Sequence, residues 1–170
     1  IAIVQGGKVI DTCAVEVGAR LVAMDENGVI NRLEDTALKI AKMAGIDLSL
    51  GGKMTEDDKE KFAKVLCDSL FEVMERGPLS PQVQDLLLTP NLEFKDPIHA
   101  VMFSGGVSEF VYGYEKRNLG DLGVQLGKKV RARANQLNGG NVPLRPAEVR
   151  IRATVIGASQ YTVQVSGNTI

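Results

Sequence analysis

The stretch Ile98-His99-Ala100-Val101-Met102-Phe103-Ser104-Gly105-Gly106-Val107-Ser108-Glu109-Phe110-Val111-Tyr112-Gly113 limits the architecture more than any other part of the chain. Its first half, Ile98 to Phe103, is an apolar-rich run bounded by Pro97 and by glycines. That length and composition suit a strand buried on both faces, as in a parallel sheet. Ser104-Gly105-Gly106 then breaks the strand. Two adjacent glycines permit a tight turn and let a ligand approach the backbone, because no Cβ intervenes. The second apolar run reads as the start of a helix. Strand, glycine turn and helix together place the loop at the carboxyl end of a strand, where open α/β sheets take their ligands. The same pattern also serves a close-packed turn with no ligand. The loop has neither the lysine of a phosphate-gripping loop nor the G-x-G-x-x-G spacing. A nucleotide here would meet backbone with its base or sugar.

Around this stretch the order is strands, helices, strand, helices, strands, which predicts an α/β or α+β layered fold. Ile1 to Val4 and Val9 to Val17 read as strands joined across Gln5-Gly6-Gly7-Lys8, a hairpin signal. Arg20 to Met24 and Val29-Ile30 flank Asn27-Gly28, a second one. Asp35 or Thr36 can cap a helix with Leu38, Ile40 and Ala41 on its inner face and Gly45 at its end. A longer helix is expected over Asp57–Arg76. Thr55 to Asp58 approximates a capping box, and Phe62, Val65, Leu66, Leu70, Val73 and Met74 form one apolar stripe before Gly77-Pro78. Ser80 to Thr89 fits either a short helix or a strand. Asp121 can cap a further helix reaching Gln136, with Leu122, Leu126, Val130, Ala134 and Leu137 on one face. Val149 to Ile156 and Tyr161 to Val165 read as strands joined at Gly157-Ala158-Ser159. The central strand is expected in a mixed sheet beside the first hairpin, with the two long helices covering it.

Composition narrows the chemistry. In 170 residues, 44% are hydrophobic and 24% charged, the profile of a globular protein able to bury a core unaided. The net charge of −1 gives no general reason to expect nucleic acid or a membrane surface as partner. No apolar run approaches the roughly 18 residues of a membrane span, and no signal peptide is recognisable. Cys13 and Cys67 sit in apolar patterns without C-x-x-C spacing and read as buried free thiols. His99 is the sole histidine, so neither a zinc site nor a histidine-based triad is expected, and it reads as a core or strand-edge imidazole. Lys128, Lys129, Arg131, Arg133, Arg145, Arg150 and Arg152 form a basic region without interleaved aromatics, which suits a solvated face first and a contact to an acidic partner second, ahead of single-stranded nucleic acid. No pair of carboxylates can be placed at catalytic separation, so no catalytic or metal-binding residue is assigned.

Three stretches carry a resemblance. Ile1-Ala2-Ile3-Val4 through Gly18-Ala19-Arg20-Leu21 resembles the hairpin after the second phosphate loop of the ethanolamine ammonia-lyase reactivating factors (ethanolamine utilisation protein A). Phe103-Ser104-Gly105-Gly106-Val107-Ser108 resembles their adenosine-side loop. Arg152-Ala153-Thr154-Val155-Ile156-Gly157-Ala158 and Val165-Ser166-Gly167-Asn168-Thr169-Ile170 resemble their carboxyl-terminal hairpin. The likeness keeps the same order over nearly the whole chain, and the last stretch is its most specific part. It implies an actin-like ATPase (ribonuclease H-like) lobe, an α/β fold with a mixed β-sheet covered by helices, formed by residues 1–170. It further implies ATP-dependent reactivation of adenosylcobalamin-dependent ethanolamine ammonia-lyase by release of damaged cobalamin. With that go ATP and Mg²⁺ in the complete protein, the lyase as partner, and a cytoplasmic location beside ethanolamine-utilising microcompartments. Carried over by position, Gly105, Gly106, Val107 and Ser108 match the adenosine loop.

Two features depart from the family pattern. Gly18-Ala19 stands where a glycine pair is common, and the Asp-Gly-rich phosphate loops are expected before Ile1. The chain opens without Met inside an apparent strand, so it is expected to be a carboxyl-terminal fragment that does not hydrolyse ATP alone. Nucleoside binding by the isolated chain is expected at a Kd of about 1 mM or weaker. A non-catalytic actin-like scaffold, or an actin-like ATPase with another client, fits the same residues.

Overall fold

A computed structural model describes residues 1–147. The hairpin signals are realised. β1 (Ala2–Gln5) and β2 (Lys8–Thr12) pair antiparallel with Val4 opposite Val9, and a bulge follows Ile3. Gly6 and Gly7 both take positive φ at the turn, 58° and 76°. That is the backbone a tight two-residue hairpin loop demands and glycine supplies without Cβ strain. β3 (Val22–Met24) and β4 (Ile30–Leu33) form the second hairpin around Asn27-Gly28. Its turn is held by Asp25, whose carboxylate accepts from the Asn27 and Val29 amides at 2.9 and 2.8 Å. The expected long strand over Val9 to Val17 stops at Thr12. Beyond it the chain runs beside Leu86–Leu88, with Glu16 N–H donating to the Leu86 carbonyl and Leu88 N–H to that of Ala14.

The helices follow their local signals. α1 (Asp35–Ala44) ends on Gly45 in the left-handed conformation. It buries Thr36, Ala37, Ile40 and Ala41, whereas Leu38, expected inside, is 48% exposed. Asp35 is its first helical residue; Glu34 occupies the cap position and makes no side-chain cap bond. α2 (Glu56–Glu75) starts on a complete capping box: Thr55 Oγ1 accepts from the Asp58 amide and Asp58 Oδ2 from the Thr55 amide, both at 3.1 Å. Two orphan donors of the first turn are thereby satisfied. The Thr55 hydroxyl and amide hold the Asp58 carboxyl below its usual range. α2 buries Phe62, Leu66 and Phe71 completely, each contributing about 1.5–3 kcal/mol of hydrophobic stabilisation. Ser80 to Thr89 resolves as the short helix α3 (Pro81–Gln84) with Ser80 capping it.

The expected mixed sheet is absent among the described residues, whose strands form two separate hairpins. Ile98 to Phe103 is not a regular strand. It makes one parallel bridge, Val101 to Leu144. Val101 N–H donates to the Pro143 carbonyl at 3.0 Å, and Arg145 N–H to the Val101 carbonyl at 2.8 Å. His99, expected in the core or at a strand edge, is exposed. The glycine break is followed by α4 (Gly106–Val111) and later by α5 (Gly123–Ala134). The main core joins α1, α2, α4, α5 and the second hairpin; Cys13, Val73, Val83 and Leu92 form a smaller cluster. Both cysteines are buried and free, and burial pushes the Cys67 thiol up to about 11. No helix among the described residues is long and apolar enough to cross a membrane. The strands expected over Val149 to Ile156 and Tyr161 to Val165, with the turn between them, lie outside the described residues.

Candidate functional site

The glycine loop stands between two anchors. On its amino side, Phe103 packs against the main core, and its N–H donates to the Tyr112 hydroxyl at 2.9 Å. On its carboxyl side, α4 packs on α5 at very short range. A Cβ added at Gly127 would lie 2.3 Å from Phe110 Cβ, and one at Gly123 would lie 2.5 Å from the Phe110 ring. Glycine at both positions of α5 is therefore what lets α4 sit so close.

Between the anchors, Gly105 has φ 87° and ψ −175°, a conformation open to glycine and costly for any other residue. Ser108 closes the turn. Its amide and its hydroxyl both donate to the Gly105 carbonyl, at 3.2 and 2.6 Å. The Ser108 side chain is buried and committed to this bond, so its part is to shape the loop. Val107 is half-buried and packs against the main core. That leaves Gly105 and Gly106. A Cβ at either would meet no further atom of the described residues within 4 Å, so among them the bare backbone faces open space. The four residues matched to an adenosine loop are thus together, with two forming the surface and two supporting it.

Other candidates lie elsewhere. Two open clefts, of about 460 and 450 Å³, are lined by Gly18, Arg20 and Thr36 among others, and by Gly77, Leu87 and Pro90 among others. Neither includes the glycine loop, which is an open surface among the described residues. Ala19, beside Gly18 at the first cleft, is 4% exposed with its methyl in the main core, and its carbonyl accepts from the Leu122 amide. Much of the basic region is used in packing α5 on α2. Lys129 pairs with Glu60 at 2.5 Å, and Arg133 with Glu75 at 2.8 Å while its guanidinium lies over the Phe71 ring. Arg131 donates to the Val111 carbonyl at 3.3 Å. Arg150 and Arg152 lie outside the described residues.

Tyr112 is the residue that sequence reasoning passed over. Its sequence context marks it only as part of an apolar helix start, yet its hydroxyl also donates to the Arg145 carbonyl at 2.6 Å. The available signal was chemical: a tyrosine closing an apolar run brings a hydroxyl that needs a partner.

The model of the family described as ethanolamine utilisation protein EutA matches residues 1–170. The chain belongs to the EutA family. Two curated EutA relatives are similar to it. The ethanolamine ammonia-lyase reactivase EutA of Salmonella typhimurium (strain LT2) is 30% identical over 173 residues, covering 99% of this chain and 36% of that protein. The ethanolamine ammonia-lyase reactivase EutA of Escherichia coli (strain K12) is 31% identical over 176 residues, with the same two shares. The chain therefore spans 36% of the length of each of these EutA proteins. No solved structure matches it at a significant level.

Proposed function

We propose that this EutA-family chain supplies the adenosine-facing loop of an ATP-dependent reactivating factor for adenosylcobalamin-dependent ethanolamine ammonia-lyase. In this reading the factor exchanges damaged cobalamin for intact cofactor, and the chain belongs to an actin-like lobe acting in the cytoplasm. The observation that carries the reading is the family match over residues 1–170, with relatives that bear the name of reactivases for that lyase.

The loop geometry supports the nucleoside part. Open space abuts the bare backbone of Gly105 and Gly106, which lets a base or sugar approach without meeting a Cβ. The residues around it hold the turn in shape: Ser108 through the Gly105 carbonyl, and Phe110 through its contact with α5. The residues do not fit Mg²⁺ equally well. Among those described, no group of three His, Cys, Asp or Glu is placed to hold a metal ion. Phosphoryl transfer depends on charge stabilisation around phosphates and metal, so no step of it is assigned to this chain.

The test is reactivation. Ethanolamine ammonia-lyase blocked by a tightly held inactive cobalamin is incubated with the protein at its natural full length, ATP, Mg²⁺ and fresh adenosylcobalamin. Recovery of deaminase activity that requires ATP is expected. Lyase binding without recovery, at any ATP concentration, would replace the reactivase reading with a non-catalytic scaffold.

A further inference from the structure

The Tyr112 hydroxyl joins three pieces of chain that are distant in sequence. It accepts from Phe103 N–H, immediately before Ser104-Gly105, at 2.9 Å. It donates to the Arg145 carbonyl at 2.6 Å. It rides on the residue that follows α4, and Tyr112 N–H donates back to the Ser108 carbonyl at 2.9 Å. Among the described residues, the other backbone ties between the two outer pieces are the Val101 bonds to Pro143 and Arg145. One bridge pair is a weak hold compared with a ladder, because a short isolated strand pairing is marginal in water. The phenol therefore fastens the entry to the glycine loop where the sheet expected there is lacking. From these contacts we infer that Tyr112 is a positioning residue for the nucleoside-facing backbone: it fixes Phe103 against Arg145 and so sets where Gly105 and Gly106 present their open face.

The inference rests on the nucleotide reading of the loop. Tyr112 lies behind the loop and acts through Phe103. Removing the hydroxyl leaves the Phe103 amide and the Arg145 carbonyl without this partner while keeping the ring. An interaction of this kind is worth on the order of a few-fold to ten-fold in an equilibrium constant.

The experiment compares Tyr112→Phe with Gly106→Val in the protein at its natural full length. ATP and ADP affinities are measured by calorimetry, global stability by urea unfolding, and Phe103 amide exchange by mass spectrometry or NMR. The expected result for Tyr112→Phe is about a five-fold loss of nucleotide affinity by the folded protein, faster exchange at Phe103, and a modest fall in the urea midpoint. A purely structural role would lower the urea midpoint and leave the affinity of the remaining folded protein unchanged, which would overturn the inference. If Gly106→Val weakens binding and Tyr112→Phe does not, the nucleotide reading stands and the positioning role falls. If neither changes affinity, or the parent binds no nucleotide, both fall. Should Tyr112→Phe fail to fold, replacing the Phe103 amide by a backbone ester removes the donor while keeping the Tyr112 side chain. The same few-fold loss is then expected, and unchanged affinity overturns the inference.

Discussion

Two pairs of glycines flank α4 and meet opposite surroundings. Gly123 and Gly127 on α5 are glycines because Phe110 occupies the space a side chain would need. Gly105 and Gly106 have nothing among the described residues within 4 Å of an added Cβ. Close packing thus accounts fully for the first pair and not at all for the second. Gly105 has a backbone reason, its φ of 87°. Gly106 has neither a clash nor a positive φ to explain it. The contrast leaves Gly106 without a packing or backbone reason among the described residues, while α5 is the surface on which α4 is closely packed.

The sharpest way to break this contrast is Gly127→Ala. The new methyl would lie 2.3 Å from Phe110 Cβ, 3.0 Å from the Phe110 carbonyl carbon and 3.1 Å from the Val111 amide. Two of these are backbone atoms, so relief requires α4 and α5 to separate. Overpacking of this kind costs about 1–3 kcal/mol, and the upper end is expected here. Urea unfolding measures it; a variant as stable as the parent would show that the helices are not in tight contact. Next comes Gly105→Ala, which strains the turn without a clash. A loss of about 1–2 kcal/mol is expected from the backbone conformation alone, smaller than at Gly127. A reversed order would mean that the loop, and not the helix contact, is the tightly determined part.

Acid separates the regions in another way. Asp11 on β2 accepts from the Phe94 and Glu93 amides at 2.9 and 2.8 Å, tying the first hairpin to the loop before the Ile98 run. The Phe94 amide, aided by those of Glu93 and Thr12 and by nearby Lys95, holds this carboxyl below its usual range. Its stabilising contribution is therefore present above the unfolded carboxylate value, about 3.9, and is lost as pH falls through the lower folded value. The contact between Gly127 and Phe110 contains no titrating group. Protection of the Glu93 and Phe94 amides, taken relative to their intrinsic exchange rates at each pH, is expected to fall below about pH 4, before protection of α5 is lost. Simultaneous loss in both places would mean that they open as one unit.

How much of this could be read from sequence depended on whether the determinant was local. Gly6-Gly7, Asn27-Gly28, the Thr55–Asp58 box and Gly45 each encode a backbone conformation within a few residues, and each is realised. The Ile98–Phe103 run failed as a strand because apolarity indicates burial but does not supply a partner; the chain gives it one bridge to Leu144. Hydrophobicity places Leu38 inward with Ile40 and Ala41, yet the buried face of α1 is completed by Ala37 and Thr36, whose small size hides them from such a count. At the candidate site the glycines were legible. The Tyr112 clamp was not, since it joins Phe103 to Arg145 across the loop and α4. The packing reason for Gly127 was hidden for the same reason: Phe110 reaches it only after α4 and α5 are folded together.

Gly106→Val should have the smallest effect on stability and an effect on binding that stability cannot explain. Gly106 is the first residue of α4, and its added side chain would point into unoccupied space. Intrinsic helix propensity slightly favours valine over glycine, by a few tenths of a kcal/mol. The urea midpoint should therefore stay within about 0.5 kcal/mol of the parent, the ordinary range for a surface substitution. If adenosine lies against this backbone, a branched side chain displaces it, and ATP affinity in the protein at its natural full length should fall at least about ten-fold, or 1.4 kcal/mol. Calorimetric titration with ATP, ADP and adenosine checks this. All three ligands should lose affinity together, because the loop is read as contacting the nucleoside they share. A loss confined to ATP would move the contact to the phosphates. An unchanged affinity for all three would leave Gly106 as an open turn residue and remove the adenosine assignment from the loop.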